Sequence, residues 1–305
     1  MSITSFFNLD TLEGLEDYVR KSRINLEMFE KLFGSDTPEF SAEGCEENIE
    51  LMRKISQMTG MPYDKVLLVN LTDELMSCTF DFNQNFGCTS VGRNGIIGQN
   101  LDFFVGELCI VKEKDTLYVT APPYMALLGM NSSIAVCVNY IPSDVEDGIS
   151  IAHIRRNLLR LKSIDEVITY IQKIKPSSNL NVMISDGDEI VDIEVDSGKV
   201  KIHYSISDDN GTFLAHTNHI VSKPIVMDRS CPRLVGAFQG LKANRGIEKI
   251  LQSSGVYVPV SFHAHPVVEE LLGFGSITTV IMDVKDGTLK HKDYKMGEYE
   301  TFCVR

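Results

Sequence analysis

The chain has 305 residues, 43% hydrophobic and 23% charged, with a mean hydropathy near zero. This composition excludes a disordered or fibrous chain. A formal charge of −13 and a pI of about 5.0 argue against a nucleic-acid partner, which would need a dense Lys/Arg face to displace counterions.

No apolar run approaches the roughly 18 residues that a membrane span requires. The first residues, Met1 to Asp10, have no basic segment and meet an acid before any long apolar core, so no signal peptide is expected. Seven cysteines (Cys45, Cys78, Cys88, Cys109, Cys137, Cys231 and Cys303) are odd in number and lack the regular spacing of a disulfide scaffold or zinc site. The expected compartment is the reducing cytoplasm, with most thiols buried as small hydrophobes.

The first third reads as helical. Leu12, Leu15, Tyr18 and Val19, then Leu26, Phe29, Leu32 and Phe33, recur at three-to-four spacing before a stop at Gly34. Ser41 can cap a second helix with the stripe Ile49, Met52, Ile55 and Met58, ending at Gly60. A third helical segment runs from about Tyr63 to Leu75.

After Phe86 the pattern turns to strands. Runs at 89–91 and 96–97 flank Arg93-Asn94-Gly95, and Asn-Gly is the strongest short hairpin signal. Strands are further expected at 108–112, 117–120 and 134–138. Two helices follow, at 149–161 and 163–174, the second opening on a Ser-Ile-Asp-Glu capping pattern. Runs at 181–184, 189–195 and 200–204 read as a meander. A helix is expected over 234–251, and a closing hairpin at 278–284 and 289–294 around Asp286-Gly287. No repeat, linker, P-loop or Gly-rich dinucleotide fingerprint appears. Sheets with helical outer layers make the expected class α+β.

Cys88 carries the strongest chemical signal. Gly87 before it leaves the preceding carbonyl accessible, Thr89 and Ser90 place hydroxyls beside the sulfur, and the helical region gives way to a hairpin here. A lone cysteine is otherwise usually structural. Were the Gly87–Cys88 bond broken, Cys88 would carry its own base. A free α-amine titrates near about 7.7–8.0 and can take the thiol proton.

The stretch Gly87-Cys88-Thr89-Ser90, followed by Gly98-Gln99-Asn100-Leu101-Asp102-Phe103-Phe104, resembles the acyl-CoA:6-aminopenicillanate acyltransferase family (peptidase family C45). It is more distantly similar to choloylglycine hydrolases and penicillin V acylases. The likeness continues at Leu68 to Leu75, at Gly129-Met130-Asn131, at Thr217-Asn218-His219 and in the strand Ser276 to Asp283. It covers most of the chain from about Ser41 onward.

The resemblance implies a four-layer αββα N-terminal-nucleophile fold. A helical prosegment, residues 1–87, would be cut from a catalytic portion, residues 88–305, the two forming one compact unit. It implies a zymogen that cleaves itself between Gly87 and Cys88. The resulting amidohydrolase or acyltransferase would act through an acyl-thioester on Cys88. Asp102 would orient the new α-amine, and Asn218 would donate to the oxyanion. Asn131 is a weaker oxyanion candidate; Ser276 and Thr278 could line the pocket, though they read more simply as scaffold. The partners implied are a small acyl donor, amide or thioester, and water or an amine as acceptor. No cofactor is implied, neither nucleic acid nor membrane is expected as partner, and a homo-oligomer is compatible. One departure stands out: Gln99 occupies the place of an arginine in bile-salt hydrolases and penicillin V acylases, which favours the acyltransferase-like branch.

The histidines offer rival readings. His263-Ala264-His265 and His216-Thr217-Asn218-His219 suggest a metal, but His-x-His on a strand supplies no third ligand and no HExxH or CxxC accompanies them, so no metal is expected. A Cys88–His216 or Cys88–His219 dyad would make an uncleaved thiol hydrolase. A non-processing binding relative of the same fold is the remaining alternative.

Overall fold

The computed structural model describes residues 5–9, 11–34, 42–43, 46–79, 87–104, 108–223, 230–253, 274–293 and 297–304. The first helix, α1 (Leu12–Phe33), forms as its spacing predicts, with Thr11 accepting from Gly14 N–H at its start. Gly34 closes it at φ 84°. The second, α2 (Glu46–Thr59), buries Met52 and Ile55 of the expected stripe; Ser41 lies outside the described residues. The third expected helix is two, α3 (Tyr63–Val69) and α4 (Thr72–Thr79). Asn70 makes the break: its amide donates to Val66 O and Pro123 O and accepts from Met125 N–H, anchoring the corner to a distant turn.

Two sheets dominate. The first runs β1 (Ser5–Asn8), β5 (Cys109–Glu113), β6 (Thr116–Thr120), β7 (Leu128–Asn131), β8 (Ala135–Tyr140), β10 (Leu180–Ser185), β11 (Ile190–Asp196), β12 (Lys199–Tyr204). The second runs β13 (Ile206–Asp208), β14 (Gly211–His216), β3 (Thr89–Arg93), β4 (Ile96–Phe104), β15 (Phe274–Asp283), β16 (Thr288–Asp293), β17 (Glu300–Cys303). A short parallel ribbon joins β2 (Ala42–Glu43) to β9 (Gly148–Ile149). The Asn94-Gly95 and Gly287 turns fall where expected, Asn94 at φ 49° and Gly95 at φ 80° as the tight turn demands.

The sheets face each other, with β4, β3 and β14 against β8, β10 and β11. On the outer side of the first sheet, α1 carries α2 and α3, while α5 (Ile151–Leu158) and α6 (Ile164–Lys173) add Ile154, Leu158, Val167 and Ile171 to the main core. Ser163 caps α6 through Glu166 N–H, as its sequence pattern predicts. On the outer side of the second sheet lie α7 (Ser230–Lys242) and α8 (Ile247–Leu251), with a smaller core of Val91, Phe213, Ala237, Leu241 and Ile250. The helix expected over 234–251 is divided between them at Asn244, whose φ of 54° ends α7. The order helix, sheet, sheet, helix is the four-layer α+β architecture expected from the sequence.

Between the sheets the packing is not purely apolar. Ser90, Gln99, Asn139, Asn181, Asp192, Glu194 and His216 are all buried there, which obliges each to find partners across the gap. Gln99 donates to Val138 O and accepts from Val138 N–H, an amide used to pair the sheets.

Candidate active site

The hairpin β3–β4 places Cys88 and Asp102 side by side, because Thr89 stands opposite Asn100 in register. Cys88 is buried, and its Sγ lies 4.0 Å from the main-chain oxygen of Asp102. The Asp102 carboxylate accepts the Gly87 N–H through Oδ2 at 3.1 Å, which puts it one peptide before the Gly87–Cys88 bond. Burial, and then the neighbouring Asp102 charge, push the Cys88 thiol up to about 11.

Gly87 adopts φ 154°, where other residues are strained, and a Cβ there would fall 2.0 Å from Asn218 Oδ1. The Asn218 side chain thus packs directly on the Gly87 backbone. Its Nδ2 donates to Tyr140 O at 2.7 Å, and its Oδ1 accepts from Arg233 Nη2 at 2.9 Å.

Arg233 is the group that sequence reading missed. Its Nη1 donates to Gly87 O (2.7 Å), Cys88 O (2.7 Å) and Thr89 Oγ1 (2.9 Å). A guanidinium on the Gly87 carbonyl can stabilise negative charge developing on that oxygen. One signal was available: Arg233, Ala237 and Leu241 are spaced by four and all buried, so the arginine stands on the inward face of α7 and needs a partner there.

The other candidates are distributed differently. Asn131 ends β7, and its amide donates to Leu159 O and Leu161 O while accepting from Ser133 and Ile134 N–H. These four hydrogen bonds fix a hairpin to the α5–α6 connection. Thr278 donates to Lys292 O across β15–β16. Ser276 stands opposite Asp102 in the β4–β15 register.

Both histidines of the His216-Thr217-Asn218-His219 stretch have partners other than Cys88. The ring nitrogens of His216 meet Thr217 O (2.7 Å) and Glu194 Oε1 (3.0 Å). His219 Nδ1 meets Ser230 Oγ at 2.7 Å, and its Nε2 faces Cys231 Sγ at 3.6 Å. His263 and His265 lie outside the described residues.

A second buried group borders the cysteine. Arg155 on α5 makes a two-pronged pair with Asp73 of α4, at 2.9 and 3.0 Å, and meets Tyr124 OH. The Arg155 charge lowers the Cys88 thiol, though less than burial raises it.

Residues 91–233 match the acyl-coenzyme A:6-aminopenicillanic acid acyl-transferase family. The resemblance read from the sequence is thereby shown, over a span that begins just past Cys88 and includes Asp102, Asn218 and Arg233. No curated protein matches significantly. Among solved structures, a Caenorhabditis elegans ortholog of N-acylethanolamine-hydrolyzing acid amidase is 17% identical, with 65% of this chain and 93% of that chain covered and a TM-score of 0.48. A mutant conjugated bile acid hydrolase from Clostridium perfringens is 13% identical (71% and 92% covered, TM-score 0.47). A penicillin V acylase from Agrobacterium tumefaciens is also 13% identical (73% and 80% covered, TM-score 0.41).

Proposed function

We propose that the protein is a cysteine N-terminal-nucleophile amidohydrolase or acyltransferase that activates itself by cutting the Gly87–Cys88 bond. The observation that carries this reading is the grip on that one peptide: Arg233 on its carbonyl oxygen, and Asp102 on the N–H of Gly87 beside it.

The chemistry follows from the positions. Cys88 Sγ attacks the Gly87 carbonyl carbon and the thiol gives up its proton. Negative charge collects on Gly87 O, where the Arg233 guanidinium already donates. The C–N bond then breaks, the nitrogen takes the thiol's proton and leaves as the neutral α-amine of Cys88, and Gly87 remains as a thioester on the sulfur. Water opens the thioester and frees the thiol. From then on the α-amine serves as the base for Cys88, with the Asp102 carboxylate placed to hold it. An acyl donor, a linear amide or a thioester, acylates Cys88, and water or an amine takes the acyl group.

Residues 1–87 and 88–305 are the two fragments of this reading, and they stay together as one unit. An odd number of cysteines without the regular spacing of a disulfide scaffold suits a reducing compartment such as the cytoplasm. Among the described residues no helix is long and apolar enough to cross a membrane.

Denaturing electrophoresis of the purified active protein is expected to give two bands, the larger beginning at Cys88 on sequencing. Incubation with a small thioester should add one acyl mass to that fragment. A single intact band in fully active protein would sink the reading.

A further inference from the structure

The turn that presents Asn218 is closed by one carboxylate. Glu194 on β11 accepts from His216 Nε2 (3.0 Å) and from Val221 N–H (2.5 Å), both on Oε1, while Oε2 meets His203 Nε2 (3.0 Å). His216 comes just before Asn218 and Val221 just after it, so a single group fastens both ends of the loop to the opposite sheet.

The His216 ring must be charged for this to work. Its Nδ1 lies 2.7 Å from a carbonyl oxygen and its Nε2 lies 3.0 Å from a carboxylate oxygen. Both partners only accept, so both ring nitrogens carry hydrogen. The groups facing this buried ring are Glu194 and Asp192 on β11, with Asp192 Oδ2 at 4.0 Å; His203 on β12 through Glu194; and His219, whose ring lies 6.4 Å away. Across β3–β14, Ser90 stands opposite His216. Burial disfavours the cation, but Asp192 and Glu194 outweigh it and the His216 pKa is raised.

We propose that Glu194 and the imidazolium of His216 are positioning residues that staple the Asn218 turn against the Gly87–Cys88 peptide, and that loss of the His216 proton opens the staple. A neutral imidazole has one N–H and must release either Thr217 O or Glu194. The rate consequence rests on the reading of Gly87–Cys88 as the bond that is cut; the staple itself does not.

The test uses the full chain with 15N-labelled histidine and asparagine. In wild type at about pH 7, both His216 nitrogens are expected to be protonated. As pH rises, the Asn218 side-chain amide resonance should shift with the same midpoint as the ring. In Glu194→Gln that midpoint should fall, and cleavage at about pH 8 should slow by about ten-fold or more, since small misplacements are costly in rate. Lowering the pH should restore it. A neutral His216 ring in wild type at about pH 7 overturns the proposal. So does an Asn218 resonance that ignores the ring's titration, or a Glu194→Gln chain that cleaves like wild type at every pH. If Glu194→Gln does not fold, the paired wild-type titrations decide alone. If wild type is never cut, the functional reading fails while those titrations still judge the staple.

Discussion

Arg233 reaches three oxygens of consecutive residues, those of Gly87, Cys88 and Thr89, from the first turn of α7. Replacing it by Gln removes the charge that faces the Gly87 carbonyl. Loss of an oxyanion donor typically slows a reaction by about 10²–10³-fold, and the accumulation of uncut chain in Arg233→Gln should show a loss of that size. Lysine should rescue only partly, because a point charge cannot serve several acceptors in fixed directions. Cys88 makes a different prediction. In the uncut chain burial and Asp102 hold its thiol up at about 11, so iodoacetamide should label it slowly near neutral pH and faster as pH rises. Once the bond is cut, the new α-amine supplies a base and labelling near neutral pH should quicken. Equal rates in the cut and uncut forms would count against the amine's role.

At the scale of elements, α4 is held by its acids rather than by its apolar side chains alone. Asp73 pairs with Arg155, both nearly sealed from water at 2% and 5% exposure. Removing one partner of a buried pair strands the other, so Asp73→Ala should cost about 3–5 kcal/mol in chemical denaturation. Glu74 beside it accepts from Ile151 N–H and Ser177 Oγ, yet its Oε2 has no partner among the described residues. Burial, and then the Asp73 charge, raise its pKa from 4.5 to about 7. The folded state therefore holds a proton that the unfolded state releases between those values, and stability drawn from this group falls as pH rises through that window. Glu74→Gln keeps both acceptor contacts and removes the charge. Its melting temperature should gain on wild type progressively from about pH 5 to 7 and hold the gain above; a parallel pair of pH curves would refute this. The same region shows where sequence reading stopped short. The apolar spacing from Tyr63 to Leu75 describes one helix, and only the contacts of Asn70 with Val66, Pro123 and Met125 explain why there are two.

For the molecule as a whole, the segment before Cys88 is part of the main core and not a detachable cover. Tyr18, Phe29, Met52, Ile55, Val66, Leu68 and Leu71 share that core with the strands of the first sheet, and β1 pairs with β5. Cutting one peptide removes none of these contacts. The two fragments should co-elute in gel filtration and separate only in denaturant; separation in native buffer would contradict this. The broad change from helical to strand regions and the turns at Asn94-Gly95 and Gly287 were legible in the sequence, because periodicity and turn chemistry are local properties; the partnership of Cys88 with Asp102 was implied only by the family resemblance. The tertiary structure alone decided the rest. It brought Arg233 and Asn218 to Gly87, bonded Asn131 to Leu159 and Thr278 to Lys292, and set His216 against Glu194. Those outcomes depend on which buried polar group meets which partner across long stretches of chain, and no local pattern encodes that meeting.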